Sequence, residues 1–207
     1  MTTLSQILEN KIVAIVRGAD PNDVLKIAEA LHAGGVVLME VTLNSVNAIQ
    51  VIKQLSQDMQ GKMLIGAGTV LDAASTRSAI EAGAQFIISP CLDIEVIKTT
   101  KELGAVSIPG AYTPTEIVNA YKNGADIIKV FPASSNVNYI KEIRAPLPHI
   151  PLMPTGGISL ENIAEFQKAG AVAFGIGTSL VNTKEAVNEE YLLRLTEKAR
   201  EFVSRIS

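Results

Sequence analysis

The sequence predicts an α/β protein, a TIM-type (β/α)8 barrel formed by one domain over residues 1–207. Three observations carry this expectation. Eight short apolar runs, rich in β-branched residues, alternate with eight stretches of helical pattern, the order of a parallel sheet with crossover helices. Glycine ends five of the helical stretches, at Gly34, Gly83, Gly104, Gly124 and Gly170, and the last four lead through alanine into the next apolar run. No linker or break in composition interrupts the series, which favours a closed barrel over an open doubly wound sheet. The open sheet is the alternative, but Arg17-Gly18-Ala19-Asp20 stands where its G-x-G-x-x-G would fall.

Taken in order, the first strand is 12–16 and its helix 21–33, with Asp20 as N-cap and Pro21 in the first turn. Strands 36–41, 63–67 and 86–89 precede helices 46–57, 73–82 and 95–103. Strand 106–109 leads to helix 114–123, opened by Thr113-Pro114 with Glu116 at capping-box spacing. Strands 127–130, 151–153 and 171–176 are followed by helices 138–143, 160–169 and 191–205.

Composition narrows the function. The net charge of −3, the absence of a basic stretch, and aromatics at 4% argue against nucleic-acid binding. No apolar segment reaches the roughly 18 residues of a membrane span, and residues 1–11 lack the pattern of a secretory signal. One cysteine, Cys91, leaves no internal disulfide and suits a reducing cytoplasm. His32 and His149 lack zinc-ligand spacing, so no metal is expected.

A barrel of this type places its chemistry at the carboxyl ends of the strands. Lys129 interrupts the apolar run Ile127-Ile128-Lys129-Val130-Phe131. Burial would depress its pKa and leave a neutral amine able to attack a ketone. The run alone reads equally well as a lysine whose head reaches solvent or a carboxylate. Glu40 interrupts Val36-Val37-Leu38-Met39-Glu40-Val41 in the same way. Together the two form either an imine-forming amine with its proton shuttle, or a structural ion pair. Thr155-Gly156-Gly157 at the seventh strand, leading into a helix, and Gly175-Ile176-Gly177-Thr178 at the eighth read as a phosphate site. Arg17, ending the first strand, suits a carboxylate. Thr69 and Thr155 are candidate hydroxyl donors, and Cys91 reads as a bystander.

The set Glu40-Val41-Thr42-Leu43, Gly66-Ala67-Gly68-Thr69-Val70, Ser89-Pro90, Ile108-Pro109-Gly110, Lys129-Val130-Phe131-Pro132-Ala133 and Pro154-Thr155-Gly156-Gly157-Ile158 resembles the 2-keto-3-deoxy-6-phosphogluconate (KDPG) and 4-hydroxy-2-oxoglutarate (KHG) aldolases. The resemblance spans nearly the whole chain. It implies a homotrimeric, cofactor-free barrel that releases pyruvate from a 2-keto acid. It further implies that Lys129 forms the Schiff base, that Glu40 is the general acid and base, and that Thr69 and Thr155 bind pyruvate. Pro90 and Phe131 line the pocket, and Gly156, Gly157, Gly177 and Thr178 hold phosphate.

One departure stands out. Many members carry arginine after the Glu-Val-Thr-Leu run, and here that position is Asn44. Arg17 is expected to take over the carboxylate. The run Leu43-Asn44-Ser45 resembles the galactonate branch, which cleaves the C4 epimer. Two further readings keep the barrel: a sugar-phosphate isomerase or decarboxylase using Lys129 only as a charge, and a non-catalytic barrel that binds a phosphate ligand.

Overall fold

The computed structural model describes residues 1–133 and 136–206. Its strands are β1 (Ile12–Val16), β2 (Leu38–Thr42), β3 (Leu64–Gly68), β4 (Phe86–Ile88), β5 (Val106–Ile108), β6 (Gly110–Ala111), β7 (Ile128–Val130), β8 (Leu152–Pro154) and β9 (Phe174–Ile176). The helices are α1 (Thr3–Asn10), α2 (Val24–Ala33), α3 (Ala48–Asp58), α4 (Ala73–Glu81), α5 (Ile94–Glu102), α6 (Pro114–Lys122), α7 (Val137–Arg144), α8 (Ile163–Lys168) and α9 (Glu189–Ile206).

All strand pairings among these residues are parallel, in two sheets ordered β5-β4-β3-β2-β1-β9 and β6-β7-β8. The fifth strand, expected to end at Pro109, resumes beyond it as β6, and Pro109 separates β5 from β6 because proline supplies no N–H to a ladder. Its carbonyl still accepts from Lys129 N at 2.9 Å, and Ser107 O accepts from Asp126 N at 3.0 Å, so hydrogen bonds run past the break. On the other flank a parallel bridge joins Thr155 to Gly175, and Val172 N donates to Leu152 O at 3.0 Å.

Alternation along the strands sorts the core into two layers. Val13, Leu38, Leu64, Phe86, Ile88, Val106, Ile108, Ile127, Met153 and Ala173 form one buried cluster, to which α1 adds Ile7. The intervening residues, such as Ala14, Met39, Ile65 and Ile87, pack outward with the helices in a second cluster. Glycine makes room on the inner side: a Cβ on Gly66 would strike the Phe86 ring.

Three expectations need correction. The second helix begins at Val24 rather than residue 21, because Asp20 Oδ1 accepts from Asn22 N at 2.9 Å and closes a turn first. The seventh crossover helix begins at Ile163 rather than residue 160. Helix α1 was not expected at all, although Thr2 caps it through Ser5 N at 3.2 Å. The capping box at Thr113 and Glu116 is present as read.

Helix α9 closes the chain onto α2 through a stripe of Tyr191, Leu195, Ala199, Phe202 and Ile206. A Cβ on Gly34 would overlap that of Ala199 and come within 2.6 Å of the Thr196 carbonyl. Gly34→Ala should therefore cost about 1–3 kcal/mol, as overpacking does. A urea midpoint equal to that of the parent protein would show that α9 can yield.

Candidate active site

Inward alternation at the carboxyl ends of the strands brings Glu40 of β2, Lys129 of β7 and Thr155, just past β8, to the inner side. Glu40 is 1% exposed, Lys129 4% and Thr155 3%. No carboxylate lies within ion-pair distance of Lys129 Nζ among the described residues. The amine instead sits over the Phe131 ring, 5.0 Å from its centroid. Glu40 Oε2 and Thr155 Oγ1 have no hydrogen-bond partner among the described residues. Both fit where they do because of glycine. A Cβ on Gly68 would lie 2.6 Å from Glu40 Cδ, and one on Gly175 would overlap Thr155 Oγ1.

Burial drives both ionisable groups toward neutrality. It pushes the Glu40 carboxyl above its usual range, against the fields of Lys129 and Arg17. It holds the Lys129 amine below its usual range, against the field of Glu40, and the Arg17 charge lowers it further. Arg17 therefore acts on both members of the pair.

A cleft of about 500 Å³ opens at this end. Of the residues singled out from sequence, Arg17, Phe131 and Thr155 line it, as do the glycine turns at Gly156, Gly157 and Gly177, and Thr178. Lys129 and Glu40 do not line its wall; Phe131 connects it to Lys129. Thr69 and Pro90 lie outside it. Thr69 adopts a left-handed backbone (φ 55°) just after Gly68, and the backbone of Pro90 presses on Gly110. Gly156 and Gly157 are also left-handed, at φ 88° and 76°, which suits glycine.

The expected helix start at the phosphate turn is absent. Five residues separate Gly157 from Ile163, and the Ser159 N–H is taken by Asn162 Oδ1 at 2.9 Å. Any anion there would rest on the glycine turns themselves. Sequence reading missed Ser159, Asn182, Thr183 and Lys184, which also line the cleft. The last three lie in an irregular segment with no motif. Lys184 was nonetheless visible as a cation soon after a candidate anion turn, and no acid pairs with it among the described residues.

A strand-end site with a buried, unpaired amine, a buried carboxyl and a cation-flanked cleft defines a parallel α/β protein equipped to condense an amine with an anionic carbonyl compound. The chain belongs to the KDPG and KHG aldolase family, whose model matches residues 4–196. It is thus an aldolase, a carbon–carbon lyase. It is 34% identical over 160 residues to the 2-dehydro-3-deoxy-phosphogluconate aldolase of Pseudomonas aeruginosa, covering 76% of this chain and 72% of that one. It is also 34% identical over 194 residues to the 2-dehydro-3-deoxy-6-phosphogalactonate aldolase of Escherichia coli, covering 93% and 92%. The structure of Legionella pneumophila KDPG aldolase, with pyruvate captured as a covalent carbinolamine, matches with a TM-score of 0.87 at 28% identity, covering 96% of this chain and 97% of that one.

The buried pair makes stability depend on pH in a defined direction. Between the lowered pKa of Lys129 and its ordinary 10.5, the unfolded chain holds a proton that the folded one has lost, so stability rises with pH there. Glu40 acts oppositely. Above its ordinary 4.5 the folded chain keeps a proton that the unfolded one has released, and stability falls until its raised pKa is passed. Lys129→Met removes the first effect, and by removing a cation it extends the second to higher pH. The urea midpoint of the parent protein should therefore gain on that of Lys129→Met as pH rises toward 10.5, the ordinary value for lysine. A gap that stays constant or moves the other way would falsify the burial assignment.

Proposed function

We propose that this chain is a class I aldolase that reversibly cleaves 2-keto-3-deoxy-6-phosphogluconate to pyruvate and D-glyceraldehyde 3-phosphate, 4-hydroxy-2-oxoglutarate to pyruvate and glyoxylate, or both. The observation that carries the reading is Lys129: a buried amine with no carboxylate in ion-pair reach among the described residues, its pKa held down by burial.

In the proposed sequence, Lys129 Nζ attacks the C2 carbonyl carbon. Glu40 relays one of the amine's protons to the C2 oxygen and adds its own, so the oxygen leaves as water and a protonated Schiff base remains. The Glu40 carboxylate then takes the proton of the C4 hydroxyl. The C3–C4 bond breaks, its electron pair passes into the iminium, and the aldehyde departs. Glu40 returns the proton to C3 of the enamine, and water hydrolyses the imine to release pyruvate and the free amine. Glu40 Oε2, buried and without a hydrogen-bond partner among the described residues, suits this shuttle.

Thr155 and Thr69 are assigned to the pyruvyl end, and Arg17 to its carboxylate. Phe131 and Pro90 shape the pocket. Gly156, Gly157, Gly177 and Thr178 hold the phosphate, with Lys184 as an added cation. No cofactor or metal takes part in this scheme.

The galactonate epimer is the second substrate reading. Leu43-Asn44-Ser45 favours it, and relatives of both names match at 34% identity. We also read residues 1–207 as one domain whose two sheets make a closed eight-stranded barrel, supported by the hydrogen bonds past Pro109 and the Thr155–Gly175 bridge. A cytoplasmic homotrimer is proposed from the family resemblance.

Pyruvate with sodium borohydride should leave a reduced adduct on Lys129, located by peptide mass. Persistent turnover with no adduct would end the Schiff-base reading. Glu40→Gln should still trap pyruvate, while kcat falls about 10²–10⁴-fold, the usual contribution of a general acid–base group. An unchanged kcat would remove Glu40 from the mechanism. Comparing kcat/KM for the gluconate and galactonate epimers and 4-hydroxy-2-oxoglutarate fixes the substrate.

A further inference from the structure

The peptide joining Arg17 to Gly18 is held from both sides by hydroxyls of two other loops. Its N–H donates to Ser45 Oγ at 2.8 Å, and its C=O accepts from Thr183 Oγ1 at 2.6 Å. Both atoms belong to one rigid plane, so the two bonds fix its orientation as well as its place. The chain turns at once at Gly18, with φ +68°.

Each hydroxyl is itself anchored. Ser45 Oγ lies 3.0 Å from Thr42 Oγ1, and Ser45 N donates to Thr42 O at 2.9 Å, which ties the loop to the end of β2. Thr183 belongs to the segment after β9. There Glu185 accepts from Arg194 at 2.8 Å and from Asn182 Nδ2 at 2.7 Å.

Arg17 is exposed, lines the cleft, and pairs with no acid among the described residues. A guanidinium grips a carboxylate bidentately only when its fork faces the right way. Without an acid to steer this one, the peptide at its root sets its direction.

We propose that Ser45 and Thr183 are positioning residues. They clamp the peptide that presents Arg17, and so set the affinity for the substrate carboxylate without touching the substrate. The proposal rests on the assignment of Arg17 made above. It also gives Leu43-Asn44-Ser45 a role: with Asn44 where an arginine would anchor the carboxylate directly, the next residue braces the arginine that replaces it.

The test is steady-state kinetics on Arg17→Ala, Ser45→Ala, Thr183→Val and the two double variants that include Arg17→Ala. Each hydroxyl deletion should raise KM about three- to tenfold, the worth of one hydrogen bond, with kcat within about twofold. Thr183→Ser, which keeps the hydroxyl, should restore KM. In the Arg17→Ala background neither deletion should add anything. Suppose Arg17→Ala raises KM but both deletions leave it unchanged, or their effects add to that of Arg17→Ala. The clamp is then wrong and the Arg17 assignment stands. If Arg17→Ala itself leaves KM unchanged, the assignment fails and the clamp with it. Urea midpoints report folding, and should Thr183→Val not fold, Ser45→Ala reads the same peptide from its other side.

Discussion

The rest of the site depends on one constraint: an amine and a carboxyl are kept out of water and kept from pairing with each other. Strand alternation turns Lys129 and Glu40 toward the same apolar interior, and burial moves each toward its neutral form. A direct ion pair would return the proton to the amine and quench it. The Phe131 ring over Nζ and the space at Gly68 beside the Glu40 carboxyl hold the two in separate positions. Arg17 then biases how protons are shared. Its field lowers both pKa values, so it favours an amine without its proton beside a carboxyl that has lost one. In the proposed sequence the deprotonated amine serves the attack, and the carboxylate serves the later step in which a proton is taken from the C4 hydroxyl.

The interior is shaped as much by missing atoms as by present ones. Along β3 the inward positions near the site are Gly66 and Gly68, and they cede their volume to Phe86 and Glu40. Gly175 does the same for Thr155, and Gly110 for the backbone of Pro90. Close packing leaves no slack for a methyl group at such places. The chemistry-bearing side chains are thus positioned by neighbouring strands and depend little on loops, whereas Arg17, Thr178, Thr183 and Lys184 stand on connections between elements.

Much of this was legible from the chain. Apolar runs separated by helical patterns gave the strand order, and the two charges that broke those runs marked Glu40 and Lys129. The break at Pro109 was less visible, because a proline at a strand end and one inside a strand look alike without the pairing partner. The late start of α8 followed from Asn162, whose side chain takes the Ser159 N–H and so delays the helix. Helix α1 is less visible because it spans only eight residues and little beyond the Thr2 cap marks it. The segment carrying Asn182, Thr183 and Lys184 has no periodicity. Its place on the cleft is set by tertiary hydrogen bonds such as that from Thr183 to Arg17, 166 residues apart.

Helix α1 has a consequence for traffic. Its Ile7, fully buried, packs among the inward residues at the amino end of the strands, beside Val13, Leu38 and Leu64. With that end filled by apolar side chains, the proposed route to Lys129 runs from the opposite end, where Phe131 adjoins both the amine and the cleft. In the proposed reaction the aldehyde half lies between the imine and the exit. It has to depart before water can enter the space it leaves and free the pyruvyl half. On that proposed scheme, a short helix at the far end of the molecule sets the order in which the two products leave.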